Sequence, residues 1–236
     1  MDKDKLRKLM LKKEKGNVGF FLIVMILFIL IAFIGVYEIS FQRTVHLKNK
    51  VDNGVILSAL SANIMDLYQF ASTGDIAYAT SYQTGKDPNL YVDSNGQPYT
   101  GYSDAITANK NAGSIALERF LQALDDNLSF IEYTHTLSLN DHTKLPVNSS
   151  DKLVKSATID EFILYNKIGN KIYKSAKDGS GNFTVTQLSG NSDPSVEKVD
   201  NIENSCIYVK MTFEFYVMGQ MCASIQFDEL VSISAT

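Results

Sequence analysis

The sequence predicts an α+β protein in which an N-terminal transmembrane helix continues into an amphipathic helix, followed by a second helix and a C-terminal antiparallel sheet. Three observations lead to this fold class. About twenty consecutive apolar residues follow a basic N-terminus, apolar residues then recur twice at helical spacing, and apolar and polar residues alternate near the C-terminus. The first observation also predicts where the protein resides.

Composition and charge restrict the class of protein. The chain has 236 residues, 45% of them hydrophobic, and a net charge of -4. This length suffices for one or two domains, and the acidic balance argues against a nucleic-acid partner. Residues 1–15 hold seven basic and three acidic side chains, a net charge of +4, so the remaining chain carries -8. A basic tip, an apolar run and an acidic body are typical of a membrane protein.

Residues 16–37 are predicted to form the transmembrane helix. This run has no ionisable side chain except Tyr37, and roughly 20 helical residues cross a hydrocarbon core about 30 Å thick. A cleaved secretory signal would have a shorter apolar core and a site with small residues, which "IGVYEIS" does not offer. We therefore predict an uncleaved, single-pass anchor in the cell membrane. The basic tip, residues 1–15, lies in the cytoplasm, and the chain after Tyr37 is extracytoplasmic.

Residues 38–72 are predicted to form an extracytoplasmic neck and an amphipathic helix that ends near Gly74. The neck extends to Gly54, and from there apolar residues recur at 3.6-residue spacing. This apolar face can pack against the core of the outer domain, against other subunits, or against both. The predicted packing face consists of Ile56, Leu60, Ile64 and Leu67.

Residues 73–236 are predicted to form the extracytoplasmic α+β domain. A second helix is predicted most clearly from Ser114 onward, and its N-cap is Ser103 or Asp104. Before it lies a loop rich in turn residues, whose tyrosines suit either interface contacts or ordinary turn packing. These tyrosines are Tyr78, Tyr82, Tyr91, Tyr99 and Tyr102.

Strands dominate the region after this helix. Two strands are predicted on either side of Ile168-Gly169-Asn170, and the turn Asp178–Asn182 precedes a further strand, "FTVTQL". The last hairpin has a predicted register in which Phe215 pairs with Ala223, Phe213 with Ile225, Met211 with Phe227 and Lys210 with Asp228, after a first pair between Val217 and Met221. This register joins apolar with apolar residues and opposite charges with each other.

The same register predicts that Cys206 and Cys222 do not form a disulfide. The two cysteines would lie ten positions apart along the hairpin. At about 3.3 Å per residue, their separation is on the order of 33 Å, far beyond the reach of a disulfide.

The sequence indicates no catalytic, cofactor-binding or metal site. The three histidines, His46, His135 and His142, have no spacing that requires a shared metal ion. Phosphate loops, nucleophile elbows and zinc-protease helices are absent from the sequence. The acidic pairs Asp125-Asp126 and Asp160-Glu161 are interpreted as ordinary features of a helix end and a strand edge. We therefore expect a protein that is not an enzyme and needs no cofactor.

The N-terminal third resembles the Tad-type pilus pseudopilins, the TadE/TadG-like minor subunits. The resemblance is carried by Lys15-Gly16-Asn17 before the membrane helix, Leu47-Lys48-Asn49 with Val51-Asp52 after it, and the helix around Ser58–Ala62. It implies a pilin-like fold, sister pilin subunits or pilus and secretion machinery as partners beside the lipid bilayer, and processing by a prepilin-type peptidase after Gly16.

The sequence departs from the pilin pattern at one position. Prepilins of this kind are expected to have a glutamate at the fifth mature position, and after Gly16 that position is Phe21. A minor, unprocessed or tip-associated subunit therefore fits better than a shaft subunit. The alternative is a membrane-anchored extracytoplasmic ligand-binding or sensor accessory module, which would signal through a partner because the cytoplasmic tip is so short.

Overall fold

A computed structural model describes residues 3–66, 70–71, 74–79, 82–83, 91–92, 104–133, 143–148, 153–218 and 221–232. The chain divides into two compact units, Met1–His46 and Leu47–Thr236. The second unit, called the head below, contains the sheet. The sequence placed the start of the outer domain at residue 73, whereas the compact unit already begins at Leu47.

Helix α1 spans Lys3–Ala62 and includes the predicted membrane segment. Within the described residues, it is the one helix that is long and apolar enough to cross a membrane. The large apolar side chains from Val18 to Tyr37 are exposed, apart from the half-buried Val24. A helix that is apolar all round suits a hydrocarbon environment.

The prediction that this helix continues to Gly74 is wrong, because α1 ends at Ala62. Residues 63–66 leave the helical conformation, and Phe70 and Ala71 are helical again before Gly74, whose φ is +77°. The amide of Asp66 donates to the carbonyl of Ala77 at 2.8 Å, and the amide of Ala79 donates to Ile64 at 2.7 Å. Backbone pairing with residues 77–79 therefore overrides the helical spacing of the side chains.

Helix α2 spans Ala105–Asn127 and begins nine residues before Ser114, from which the sequence predicts it most clearly. Asp104, one of the two N-cap candidates from the sequence, is the N-cap, and its carboxylate accepts hydrogen bonds from the amides of Ile106 and Thr107. The Thr107 hydroxyl donates to the same carboxylate at 2.7 Å, and this hydrogen bond, together with those from the two amides, lowers the pKa of Asp104. The weak helix formers Asn109 and Gly113 are buried, so tertiary contacts retain them in the helix.

The strands are β1 (Tyr82–Gln83), β2 (Tyr91–Val92), β3 (Thr143–Leu145), β4 (Val154–Ile168), β5 (Lys171–Lys177), β6 (Phe183–Gln187), β7 (Cys206–Met218) and β8 (Met221–Ser232). β1 pairs with β2. Within the described residues the other six form one antiparallel sheet in the order β6-β5-β4-β7-β8, with β3 beside the first half of β4. Both predicted turns are confirmed: Gly169, with φ of +57°, lies in the first, where a residue without Cβ is favoured.

The predicted register of the last hairpin is confirmed over most of its length. Phe215 pairs with Ala223, Phe213 with Ile225, and Lys210 with Asp228. The register differs only at the tip, where Met218 pairs with Met221 and the ladder is irregular. The two cysteines therefore lie far apart and are not bonded to each other. Burial raises the pKa of the Cys206 thiol to about 12.

The sheet separates two apolar clusters. The larger one lies between the sheet and the helices, and it joins α1 through Val51 and Val55 to Phe120 of α2 and Phe213 of β7. The smaller one lies on the opposite face, where Val196, Val199 and Ile202 cover the sheet from the segment between β6 and β7. The fold is therefore α+β, as predicted from the sequence.

Candidate assembly surface

The predicted processing site, Gly16, lies inside helix α1. The side chains around it are outside the described set, so cleavage after Gly16 stays a prediction. The described apolar segment that follows begins at Val18, which is exposed.

The four residues of the predicted packing face lie in different environments. Leu60 is 47% exposed. Ile56 is half-buried and packs against the main core, and Ile64 is half-buried beyond the end of the helix. Leu67 lies outside the described residues. The contact of this face with another subunit stays a prediction.

A different stripe of α1 joins the core of the head, and it consists mainly of small residues. Gly54 packs so closely on Leu128 that a Cβ there would lie 2.8 Å from the Leu128 Cγ. Four positions on, Ser58 accepts a hydrogen bond from the Asn127 side chain at 3.3 Å. Small residues at four-residue spacing are the signal that could have located this contact. The stripe comprises Leu47, Val51, Gly54, Val55, Ser58, Ala59 and Ala62.

Two large apolar side chains of this part of α1 face outward. Leu57 is 51% exposed, and with Leu60 it forms an apolar pair one turn apart. Lys48 and Asp52 form an ion pair nearer the start of the head at 2.5 Å. We call Leu57 and Leu60 the outer leucine pair. It is the described part of α1 in the head that offers apolar surface for packing.

Of the tyrosines predicted to make contacts, Tyr78 is the one whose side chain is described. Tyr78 is 1% exposed, and its hydroxyl donates to Asn63 at 2.6 Å, so a contact role for it is wrong. Tyr82 and Tyr91 lie on opposite strands of the short β1–β2 pair. Tyr99 and Tyr102 lie outside the described residues.

A buried amide network anchors α2 and the segment after α1 to the sheet. The Asn166 side chain donates to Asn109 of α2 at 2.9 Å and accepts from the backbone amide of Tyr78 at 3.2 Å. The Ser205 hydroxyl donates to the carbonyl of Ile76 at 2.6 Å, and its oxygen lies 3.2 Å from Oδ1 of Asn166. These neutral groups satisfy one another, which suits a structural role.

A charged anchor holds the covering segment on the other face of the sheet. Asp193 is 4% exposed, and its carboxylate lies 2.6 Å from the Lys174 amine and 2.7 Å from the Tyr165 hydroxyl. Burial alone would raise the pKa of Asp193, but hydrogen bonds from Lys174, Ser195 and Tyr165 outweigh it and lower the pKa to about 2. The carboxylate is therefore ionised throughout the physiological range.

The groups considered for catalysis or metal binding are not brought together in the described part of the chain. His46 lies on α1 in the first unit, and His135 and His142 are outside the described residues. No group of three or more potential metal ligands occurs among the residues described. Asp160 accepts from Thr212 at 2.6 Å, and Glu161 lies 3.7 Å from Lys210, so both join neighbouring strands.

An open groove lies between α2 and the β5–β6 hairpin. It has a volume of about 740 Å³. Its walls combine apolar residues with both charges, including Leu117, Glu118 and Lys177. The Lys177 amine lies 5.7 Å from the centre of the Phe183 ring. The groove is open to solvent, and its lining is more polar than apolar.

Comparison with known proteins identifies no relative: no protein-family model, curated protein or solved structure matches the chain.

Proposed function

We propose that this chain is a non-enzymatic, single-pass membrane protein and a minor pilin or pseudopilin-like component of a Tad-type pilus or secretion apparatus. The proposal rests on one observation, which is that helix α1 contributes both to the apolar segment and to the core of the head. One continuous helix, Lys3–Ala62, supplies both the apolar segment and a stripe of the head core. A subunit stored in the bilayer and later packed beside others needs such a shared helix.

The charge distribution supports a cytoplasmic N-terminus and an extracytoplasmic head. Positive residues concentrate before the apolar segment, at residues 1–15, and the acidic balance follows it. Basic residues are retained on the cytoplasmic side of single-pass proteins. The proposed location is therefore the cell membrane, with the lipid bilayer as the first partner.

The outer leucine pair supports contact with a sister subunit or with the assembly machinery. Leu57 and Leu60 remain about half exposed although smaller residues of the same helix are buried. Such surface is costly to leave in water, at roughly 25 cal/mol per Å². A neighbouring helix would cover it.

A second candidate function is a membrane-anchored extracytoplasmic ligand-binding or sensor accessory module. The groove between α2 and the β5–β6 hairpin is the observation in its favour, because its mixed lining suits a small polar molecule. The pilin-like proposal gives this groove no role.

The deciding experiment is the intact mass and N-terminal sequence of the full protein purified from native membranes. A chain that begins at Asn17 would support prepilin-type processing. Gly16→Leu should then block cleavage, whereas the matched variant Gly19→Leu should be cleaved as before. A chain that retains residues 1–15 would argue against processing.

Membrane cross-linking tests the partners separately. In the variant Leu60→Cys, cross-linking through the new thiol should capture a sister subunit or a component of the assembly machinery. Recovery of the intact protein as a lone monomer, with residues 1–15 retained, would overturn the pilin-like proposal and favour the accessory-module alternative.

A further inference from the structure

Residues 38–46, called the juxtamembrane segment below, follow the predicted membrane helix and complete the first compact unit. Three of their large apolar side chains are exposed: Ile39 by 69%, Phe41 by 56% and Val45 by 42%. Apolar surface of this size is unfavourable in water. The sequence places this segment outside the membrane, so its apolar side chains need a cover that the described part of the chain does not supply.

The three side chains do not form one face of the helix. Successive residues of an α-helix turn by about 100°, so Ile39 and Phe41 point to nearly opposite sides, and Val45 shares the side of Phe41. A single neighbouring helix covers only one side. Apolar side chains on opposite sides therefore favour a surrounding apolar medium, which for a membrane protein is lipid.

The outer leucine pair differs from the juxtamembrane segment in this respect. Leu57 and Leu60 are three residues apart, so they lie on the same side of the helix. One protein partner can cover both of them at once. The arrangement of the apolar residues thus separates a protein contact on the head from a lipid contact nearer the membrane helix.

The uncharged polar side chains of the juxtamembrane segment are satisfied inside the helix. The Ser40 hydroxyl donates to the carbonyl of Val36 at 2.8 Å, and the Thr44 hydroxyl donates to the carbonyl of Ser40 at 3.0 Å. The Gln42 amide donates to the Glu38 carboxylate at 3.0 Å. Lipid offers few hydrogen-bond partners, so this internal pairing allows the segment to leave bulk water.

The ionisable residues and the helix length define a depth for this segment. Glu38, Arg43 and His46 exclude the hydrocarbon centre, where charged side chains are rare, and amphipathic side chains such as those of Arg43 and His46 can extend toward the headgroups. At 1.5 Å per residue, residues 18–45 span roughly 42 Å. This length matches a bilayer together with its headgroup regions, about 40–45 Å, whereas residues 18–37 suffice for the hydrocarbon core of about 30 Å.

We propose that the juxtamembrane segment lies in the interface of the extracytoplasmic leaflet, with phospholipid as its partner. Ile39, Phe41 and Val45 lie among the upper acyl chains, and Arg43 and His46 lie among the headgroups. This placement rests on the membrane location proposed above, and it adds a segment that the sequence predicts to lie outside the bilayer. Because Leu47, the first residue of the head, follows Val45 by two positions, the head begins at the bilayer surface and not at the end of an exposed stalk.

Fluorescence quenching in lipid vesicles tests this placement. The full-length protein, in a Cys222→Ser background whose remaining Cys206 is buried, carries an environment-sensitive fluorophore on one introduced cysteine in vesicles of phosphatidylcholine and phosphatidylglycerol. Lipids with a nitroxide near the headgroup should quench the fluorophore in both Ile39→Cys and Phe41→Cys. Leu57→Cys is the matched control on the same helix. About 24 Å of helix separates Leu57 from Phe41, so its quenching should be at least about threefold weaker.

A label in the membrane helix reports the membrane location independently. Phe28→Cys should be quenched by nitroxides deep in the acyl chains. Quenching at position 28 without quenching at positions 39 and 41 would overturn the juxtamembrane placement and leave the membrane location intact. Quenching at only one of positions 39 and 41 would also overturn the placement, because it would indicate a cover on one side, such as a second copy of the chain. Absence of quenching at position 28 would overturn the membrane location and this placement together.

Discussion

Helix α1 contains two apolar stretches that use side chains of opposite size. From Val18 to Tyr37 the large residues are exposed, apart from the half-buried Val24. From Leu47 to Ala62 the buried stripe is mainly small, and the large Leu57 and Leu60 are outside. The first stretch suits a solvent of lipid chains, which requires apolar surface everywhere. The second packs backbone closely against one side, which requires small residues, so hydrophobicity alone does not identify the buried face.

The largest expected effect comes from a charge in the first stretch. Phe28→Arg places a guanidinium near the centre of the apolar segment, at a cost of about 3 kcal/mol for membrane insertion. Because the remaining apolar residues still favour insertion, the fraction of protein that resists alkaline extraction should fall below that of the wild type without disappearing. Leu57→Arg makes the same charge change on the exposed face of the second stretch, and it should stay in the pellet. Loss of both variants from the membrane would contradict the conclusion that only the first stretch requires a lipid environment.

Neighbouring positions in the second stretch should respond to size in opposite ways. Ala59 is 0% exposed, so Ala59→Leu overpacks the core and should destabilise the head by about 1–3 kcal/mol. Leu60→Ala, at an exposed position, should change stability by less than about 0.5 kcal/mol. Both residues are good helix formers, so helix propensity does not separate them. Thermal unfolding monitored by circular dichroism measures the difference, and equal losses would show that Leu60 is also buried.

The acid sensitivity of the head should come from the far side of the sheet, because the buried stripe of α1 contains no ionisable residue. The Asp193 pKa is lowered to about 2 from an ordinary 3.8. A lowered pKa stabilises the fold above the unfolded value, and this contribution is lost as pH falls from about 4 to 2. Asp193→Asn should destabilise the head by about 1–2 kcal/mol at neutral pH and flatten this part of the pH profile. Urea unfolding at pH 7, 4 and 2 tests the prediction. An unchanged pH profile would assign the acid sensitivity to other carboxylates.

The smallest expected change in stability comes from substituting two glycines of the same helix by alanine. Gly54→Ala gains about 1 kcal/mol of helix propensity but overlaps Leu128, and overpacking costs about 1–3 kcal/mol. The net loss should be about 1 kcal/mol. Gly35→Ala lies in the first stretch, where an added Cβ meets no described atom within 4 Å, so the head should keep its melting temperature. A stabilised Gly54→Ala variant would mean that Leu128 moves aside easily.

The sequence by itself determined the elements whose evidence is local. The apolar segment, the Asp104 cap, the turn at Gly169 and the register of the last hairpin all depend on neighbouring residues or on strict alternation of side chains. Alternation makes a one-residue slip costly, because it moves every apolar residue to the other face of the strand.

Only the tertiary structure decided which face of α1 is buried, where that helix ends, and where α2 begins. Each of these depends on a partner distant in sequence: Leu128 against Gly54, residues 77–79 beside residues 64–66, and Asn166 bonded to Asn109. The spacing of apolar and polar residues along the sequence indicates which side chains are suited to burial. It does not indicate how closely the backbone of another element approaches. Close approach favours glycine, serine and alanine, and buried amides are stable once they bond to each other.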